Sequence, residues 1–233
     1  MKRSSEKEMI DAGDNDPAVL AEDLRNLRQL NRYLRGRRCV MSALERVVRR
    51  ERITRFSLLD IGTGSADIAA AILAWSHKSG KAVRIVGLET DPTTARIAAD
   101  RTRHLPAIRI VRGDAAAPPF LPGSFDFILA SQLLHHFPEP MIVSLLVQWS
   151  KLARRAIIIC DLIRHPVAYH GIRLLTSLTT RNIMTRTDAP LSVRRALTFE
   201  EWRDLFSSAA IGPTEIFPVF PFRMAACVNL QGR

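Results

Sequence analysis

Two stretches of this sequence hold residues suited to chemistry. The first is Leu58-Leu59-Asp60-Ile61-Gly62-Thr63-Gly64-Ser65-Ala66-Asp67, an apolar run that ends in an acid and opens into a glycine turn. Glycine lets backbone approach a ligand closely, because it lacks a Cβ and tolerates positive φ. A helix beginning behind such a turn favours an anionic group. A tight turn alone would explain the glycines, but it would not explain the acids that recur at the ends of later apolar runs. These are Glu89 in Val86-Gly87-Leu88-Glu89 and Asp114 in Gly113-Asp114-Ala115. A carboxylate in the place of Glu89 can accept both hydroxyls of a ribose. Three acids at successive strand ends beside one glycine turn predict a nucleoside-binding rim. The second stretch, Ser131-Gln132-Leu133-Leu134-His135-His136-Phe137, puts two histidines just past another apolar run.

The surrounding elements must bring these residues to one edge. Short apolar runs at 57–61, 84–89, 108–112, 125–131 and 156–162 alternate with helical patterns at 66–77, 93–103 and 139–152, which predicts a parallel α/β sheet with helices on both faces. Ligands of such sheets bind beyond the carboxyl ends of the strands. After a helix at 199–209, runs at 215–219 and 222–228 read as an antiparallel strand pair. Before the first strand, Leu20, Leu24, Leu27, Leu30 and Leu34 recur at helical spacing with Arg25, Arg28, Arg32 and Arg35 between them. Gly36 is expected to end that helix, and a second helix is expected at 40–50. The fold class expected is a doubly wound, Rossmann-like sheet in one domain spanning 1–233. Residues 1–16 are expected to be disordered, 17–55 to form a helical N-terminal cap, 56–233 to form the sheet domain, and 163–197 to form an insertion.

The order DIGTG, then GLE, then RGDAAAPPFLPGSFDFIL resembles the class I S-adenosylmethionine-dependent methyltransferases, in particular the branch of ubiquinone and menaquinone biosynthesis. That resemblance covers about 58–228. It implies S-adenosyl-L-methionine as cofactor, with Asp60, Gly62 and Gly64 at its methionine part, Glu89 at the ribose, Asp114 at the adenine amino group and Ala115 beside it. Thr63 and Ser131 fall in the same cofactor set. Ala66 replaces the third glycine of the usual loop, a departure that a small residue accommodates. A dinucleotide fingerprint fits less well, since it needs Gly or Ala where Asp67 stands.

The same resemblance implies methyl transfer to oxygen or carbon of a small aromatic, polyketide or quinone-like acceptor. A phenolic acceptor, with a pKa of about 10 by analogy with tyrosine, calls for a general base, and histidine is the natural one near neutrality. His135 and His136 are the candidates, His135 first; the bland alternative is a helix cap or a packing contact against adenine. Asp161 and Arg164, past the fifth strand, and His170, Asp188 and Arg194, in the insertion, are the candidates for lining the acceptor space, unless their charges form a solvated network. His170 is a second candidate base. No HxxxH or HExxH spacing appears, and Cys39, Cys160 and Cys227 form no CxxC pair, so neither a metal site nor a disulfide is expected.

Charge sets further bounds. At 47% hydrophobic and 24% charged residues, fibrous and wholly disordered classes are excluded. The net charge is +11, and residues 25–55 carry eleven arginines against two acids. Three readings of those arginines stand together: a solvated face pairing with acids of the sheet, peripheral contact with an anionic membrane that keeps a greasy acceptor, or nucleic-acid binding. The last lacks interleaved aromatics, Tyr33 being the one aromatic in the segment. It also lacks the Asn/Asp-Pro-Pro-aromatic tetrad of nucleic-acid amino-methyltransferases, replaced here by Ser131-Gln132-Leu133-Leu134, and Pro118-Pro119-Phe120 precedes the strand. RNA methylation is therefore the weaker alternative, beside a non-catalytic nucleoside-binding regulator. A polar, acidic start without an apolar segment and the unpaired cysteines suggest a reduced cytoplasm. Oligomeric state has no signature in the sequence.

Overall fold

A computed structural model describes residues 1–230. Its centre is a seven-stranded sheet in the order β3-β2-β1-β4-β5-β7-β6. Strands β1 (Arg55–Ile61), β2 (Ala82–Glu89), β3 (Ile108–Arg112), β4 (Phe125–Ser131) and β5 (Ala153–Leu162) run parallel. β6 (Thr214–Val219) and β7 (Arg223–Asn229) pair antiparallel, and β7 lies antiparallel to β5. This is the expected Rossmann-like sheet with its antiparallel end.

The parallel strands are apolar on both sides because both faces of the sheet are covered. Over one face, Leu44 and Val47 of α2 (Gly36–Arg50) and Ile72 of α3 (Asp67–Lys78) pack on Leu58, Phe127 and Ile158. Over the other, Trp149 of α5 (Glu139–Leu152) and Trp202 and Phe206 of α8 (Phe199–Ala209) pack on Leu59, Ile128 and Ile157. α4 (Pro92–Thr102) links β2 to β3. α8 opens on a capping box, in which the Thr198 side chain accepts from the Glu201 amide and the Glu201 carboxylate from the Thr198 amide. β1 touches β2 on one side and β4 on the other, so the chain order reverses between β1 and β4. That switch point opens a crevice at the carboxyl ends of the strands.

Several boundaries differ from expectation. β5 begins three residues before the expected 156, through Arg154 and Arg155, whose charges interrupt the apolar run and are held by Asp126 at 3.6 and 3.4 Å. Gly36 does not end a helix; it opens α2. The chain turns instead at Arg35, whose φ is +61°, while Gly36 lies so close to Asn31 that a Cβ would stand 2.7 Å from its Oδ1. The insertion at 163–197 is helical almost throughout, as α6 (Pro166–Thr179) and α7 (Ile183–Arg195). It is bolted to α1 (Pro17–Tyr33) by Asn26, which donates to Thr180 and Thr185, and by Thr185, which donates to Asp23.

The largest correction concerns residues 1–16, which are not disordered. They form a strap across α7: the Ser4 amide donates to the Arg194 carbonyl, and the Met9 and Ile10 amides donate to the two oxygens of Asp188, each at 2.9 Å. Glu8 is 4% exposed. Three of the acids whose presence suggested disorder, Glu6, Glu8 and Asp11, face Arg194, Arg195 and His136. Among the described residues no helix is long and apolar enough to cross a membrane.

Candidate functional site

The glycine turn after β1 is held by its own neighbours. The Gly62 and Thr63 amides both donate to the Leu88 carbonyl, at 2.9 and 3.1 Å. Gly62 has φ +68°, and a Cβ there would meet Leu133 Cδ1 at 2.8 Å. Gly64 has φ +55° and nothing within 4 Å of where a Cβ would stand, so its backbone faces open space. Glu89 at the end of β2 reaches across: one oxygen accepts from the Gly64 amide at 3.0 Å, the other from Thr90 and Asp91 at 2.9 and 3.1 Å. Asp60 is buried, accepts from the Thr63 hydroxyl at 2.7 Å, and is pushed up to about 7 by burial, with Asp67 and Glu89 adding to the rise.

These groups line one cavity of about 650 Å³ together with Asp114, Ala115, Ser131, His135 and His136. Every cofactor candidate named from the sequence therefore lines this one cavity. Asp114 sits exposed at its rim, bonded to the Ala116 amide at 2.8 Å, and Ala115 is fixed by Trp149, whose indole donates to its carbonyl at 2.9 Å. A buried acid beside a glycine turn, a second acid at the end of the next strand and a third at the rim form a set of acceptors that fits the ammonium, ribose hydroxyls and base amino group of an amino acid joined to a nucleoside. The open backbone at Gly64 supplies the room.

The histidines line the same cavity. His135 and His136 lie on a short 3-10 turn, Leu134–His136, following β4. His135 is buried, and its Nδ1 lies 2.7 Å from Asp161 Oδ1. Burial alone would raise the Asp161 carboxyl, but the charge and hydrogen bond of His135 hold it below the usual range. Asp161 is thus behind His135 and not on the cavity wall.

The insertion candidates divide. Asp188 is on the wall, but both of its oxygens are occupied by the strap amides. Arg194 turns outward toward Glu6 at 3.8 Å, Arg164 is buried against Glu201 and the Ala196 carbonyl, and His170 is exposed on α6 against Tyr169. None of these three lines the cavity. The helical phase of α7 presents Arg195 instead of Arg194, with its Nε 3.7 Å from Glu8.

Glu8 and Asp11 are cavity residues that no motif announced. Asp11 holds His136 Nδ1 at 2.9 Å, and Ser192 donates to Glu8 at 2.9 Å. Burial pushes the Glu8 carboxyl up to about 7. Their contacts reach more than a hundred residues along the chain, so only the three-dimensional fold reveals them.

Comparison with known proteins assigns a family to the segment that carries the glycine turn. Residues 58–155 match the family described as methyltransferase domain. Demethylmenaquinone methyltransferase of Staphylococcus haemolyticus is 24% identical over 107 residues, which is 44% of this chain and 45% of that protein. The match thus spans less than half the length of that relative. Human N-acetylserotonin methyltransferase, solved in complex with SAM, superposes with a TM-score of 0.65 at 17% identity, covering 92% of this chain and 56% of that one. CurJ carbon methyltransferase superposes with a TM-score of 0.67 at 17% identity, covering 94% and 62%. Both structural likenesses concern the fold.

Proposed function

We propose that this chain, a class I S-adenosylmethionine-dependent methyltransferase in its domain and fold, transfers a methyl group to oxygen or carbon of a small aromatic, polyketide or quinone-like acceptor. The observation that carries this reading is one cavity lined by two sets of groups. Its glycine turn and acids suit S-adenosyl-L-methionine, and its histidines include an imidazole oriented by a buried carboxylate.

When bound, the cofactor supplies a methyl on a sulfonium, whose displacement mainly needs alignment with the acceptor. The chain's own residues do the rest. Glu89, held by three amides, turns its remaining lone pairs to the ribose diol. Asp60 and the Gly62-to-Gly64 backbone meet the amino-acid part, Thr63 fixing the Asp60 carboxylate. Ser131 lines the same cavity within the cofactor set, and Asp114 takes the adenine amino group. Asp161 keeps the proton of His135 on Nδ1, which leaves the Nε2 lone pair for the acceptor's proton. His136, tied to Asp11, is the neighbouring candidate for that role. Of the insertion residues, Asp188 acts by holding the strap, while Arg164, Arg194 and His170 lie off the cavity and are not assigned to the acceptor.

The test is calorimetry with S-adenosylhomocysteine, followed by transfer of labelled methyl from S-adenosylmethionine to a panel of phenols, quinols and bulk RNA. Binding that is lost in Glu89→Ala, with turnover on the small acceptors, is expected. Absence of binding sinks the proposal. Binding without any turnover favours a nucleoside-binding regulator, and incorporation into RNA alone favours nucleic acid as acceptor. Contact of residues 25–55 with an anionic membrane is a separate proposal. It is supported by the exposed Arg25, Arg32, Arg35 and Arg38, whereas Arg37 and Arg46 are engaged by Asp67 and Glu215. Co-sedimentation with vesicles containing anionic lipid tests it.

A further inference from the structure

We propose that Glu8, His135 and His136 form a binding site for one divalent transition cation of the zinc, manganese or ferrous class, joining the N-terminal strap to the turn after β4. Their ligand atoms lie within 4.8 Å of one another. Glu8 Oε1 stands 3.6 Å from His135 Nε2, and Glu8 Oε2 stands 3.9 Å from His136 Nε2. Ligands of a tetrahedral cation bound at about 2.0–2.1 Å sit roughly 3.3 Å apart, so the two Glu8–histidine separations close by a few tenths of an ångström on loading, and the two imidazoles, within 4.8 Å of each other, turn about their Nδ1 anchors to meet them.

Three further observations support this site. First, each histidine is anchored at its other nitrogen by a carboxylate: His135 Nδ1 by Asp161 at 2.7 Å and His136 Nδ1 by Asp11 at 2.9 Å. Carboxylates in that position keep the proton on Nδ1 and aim the Nε2 lone pair, which is the arrangement found behind metal-bound imidazoles. Second, Glu8 Oε1 and His135 Nε2 are both buried and neither makes a hydrogen bond. Glu8 is 4% and His135 3% exposed. These two acceptor atoms stand 3.6 Å apart, close to the separation of two ligands on one cation.

Third, the local charge has room for a cation. Glu8, Asp11, Asp161 and Asp188 surround the imidazoles. The guanidinium of Arg195 stands 3.7 Å from Glu8 and 4.0 Å from Asp11, and it leaves the group acidic. Two imidazoles with one carboxylate suit a borderline cation and leave coordination positions open toward the cavity. The adjacency of the histidines and the distance of Glu8 along the chain give no ligand spacing, which is why the sequence carried no expectation of a metal. Loading takes the Nε2 lone pair of His135, so the cation-bound and proton-accepting states of that ring exclude one another. The site also clamps residue 8, and with it the strap, over the cavity. None of this depends on the identity of the acceptor.

The experiment uses the full chain, treated with chelator and dialysed, then titrated calorimetrically with zinc chloride and, separately, manganese chloride, with melting temperature followed in parallel. One cation per chain is expected, with a rise in melting temperature. Glu8→Gln and His136→Asn should each weaken binding at least tenfold. His136 is half-buried, so its substitution is the safer of the two for folding, and S-adenosylhomocysteine binding serves as the folding control for both. No stoichiometric binding by the unaltered chain, or binding indifferent to both substitutions, overturns the cation site. Either result with S-adenosylhomocysteine binding intact leaves the methyltransferase reading standing, and loss of the latter alone leaves the cation site standing.

Discussion

The imidazole of His135 meets Asp161 at 2.7 Å, with both side chains buried at the carboxyl ends of neighbouring strands. Asp161 also accepts from the Leu162 amide at 2.8 Å, so its carboxylate is fixed before it orients the ring. Asp161→Asn keeps the shape, and its carbonyl oxygen still meets both the Leu162 amide and Nδ1, but it removes the negative charge that stabilises the imidazolium formed when Nε2 takes the acceptor's proton. Methyl transfer to a hydroxyl acceptor is expected to fall by about 10²–10⁴-fold, with S-adenosylhomocysteine affinity unchanged. Single-turnover transfer of labelled methyl measures it, and an unaltered rate would remove His135 as the proton acceptor.

Ala66 occupies the left-handed region, with φ 58° and ψ 27°, at the N-cap of α3. A Cβ in that conformation costs roughly 1–2 kcal/mol, partly offset by the larger unfolded-state entropy of glycine. Ala66→Gly is therefore expected to stabilise the fold by about 0.5–1 kcal/mol, read from urea denaturation. A loss of stability would mean that the methyl group contributes more by packing than its backbone costs.

Gly62 has the opposite requirement. With φ +68° and Leu133 Cδ1 2.8 Å from the position of a Cβ, Gly62→Ala is strained in its backbone and must displace either the turn or the Leu133 side chain. A cost of about 1–3 kcal/mol and weaker S-adenosylhomocysteine binding are expected, measured by thermal unfolding and calorimetry.

How far the sequence could be read depends on the range of the forces involved. Strands such as 108–112 and 125–131, and helices such as 139–152 and 199–209, are visible because local periodicity and capping residues carry them, and the structure places them at the same residues. The cofactor wall is legible for a related reason: in a parallel sheet every strand ends at the same edge, so Asp60, Glu89 and Asp114 converge by topology alone. Past β5 that rule no longer applies. Whether Arg194 or Arg195 faces the cavity is a matter of one residue in the phase of α7, and only packing against α1 and the strap sets it. Glu8 lies beyond any local rule. Polar composition reads as disorder, yet the amides of Met9 and Ile10 find Asp188, and burial of Glu8 follows from that docking.

Asp60 gives a pH dependence whose sign follows from burial. Its folded pKa, about 7, lies above the ordinary carboxylate value of about 3.9. Between those two values the folded chain keeps a proton that the unfolded chain has lost. The contribution of Asp60 to stability is thus fully present below about pH 4 and is lost as pH rises toward 7. Other buried acids, Glu8 at about 7 and Asp23 at about 6, act in the same direction, so the measurement is a difference. Asp60→Asn should flatten the fall in stability across this window relative to the unaltered chain. Ligand binding runs the other way. The carboxylate, once charged, attracts the ammonium of the cofactor's amino-acid part. S-adenosylhomocysteine affinity should therefore weaken as pH falls below 7, approaching tenfold per pH unit. In Asp60→Asn it should be weaker throughout and nearly independent of pH. Calorimetry from pH 6 to 8 reads both slopes, and equal slopes in the two proteins would show that Asp60 does not meet the ammonium.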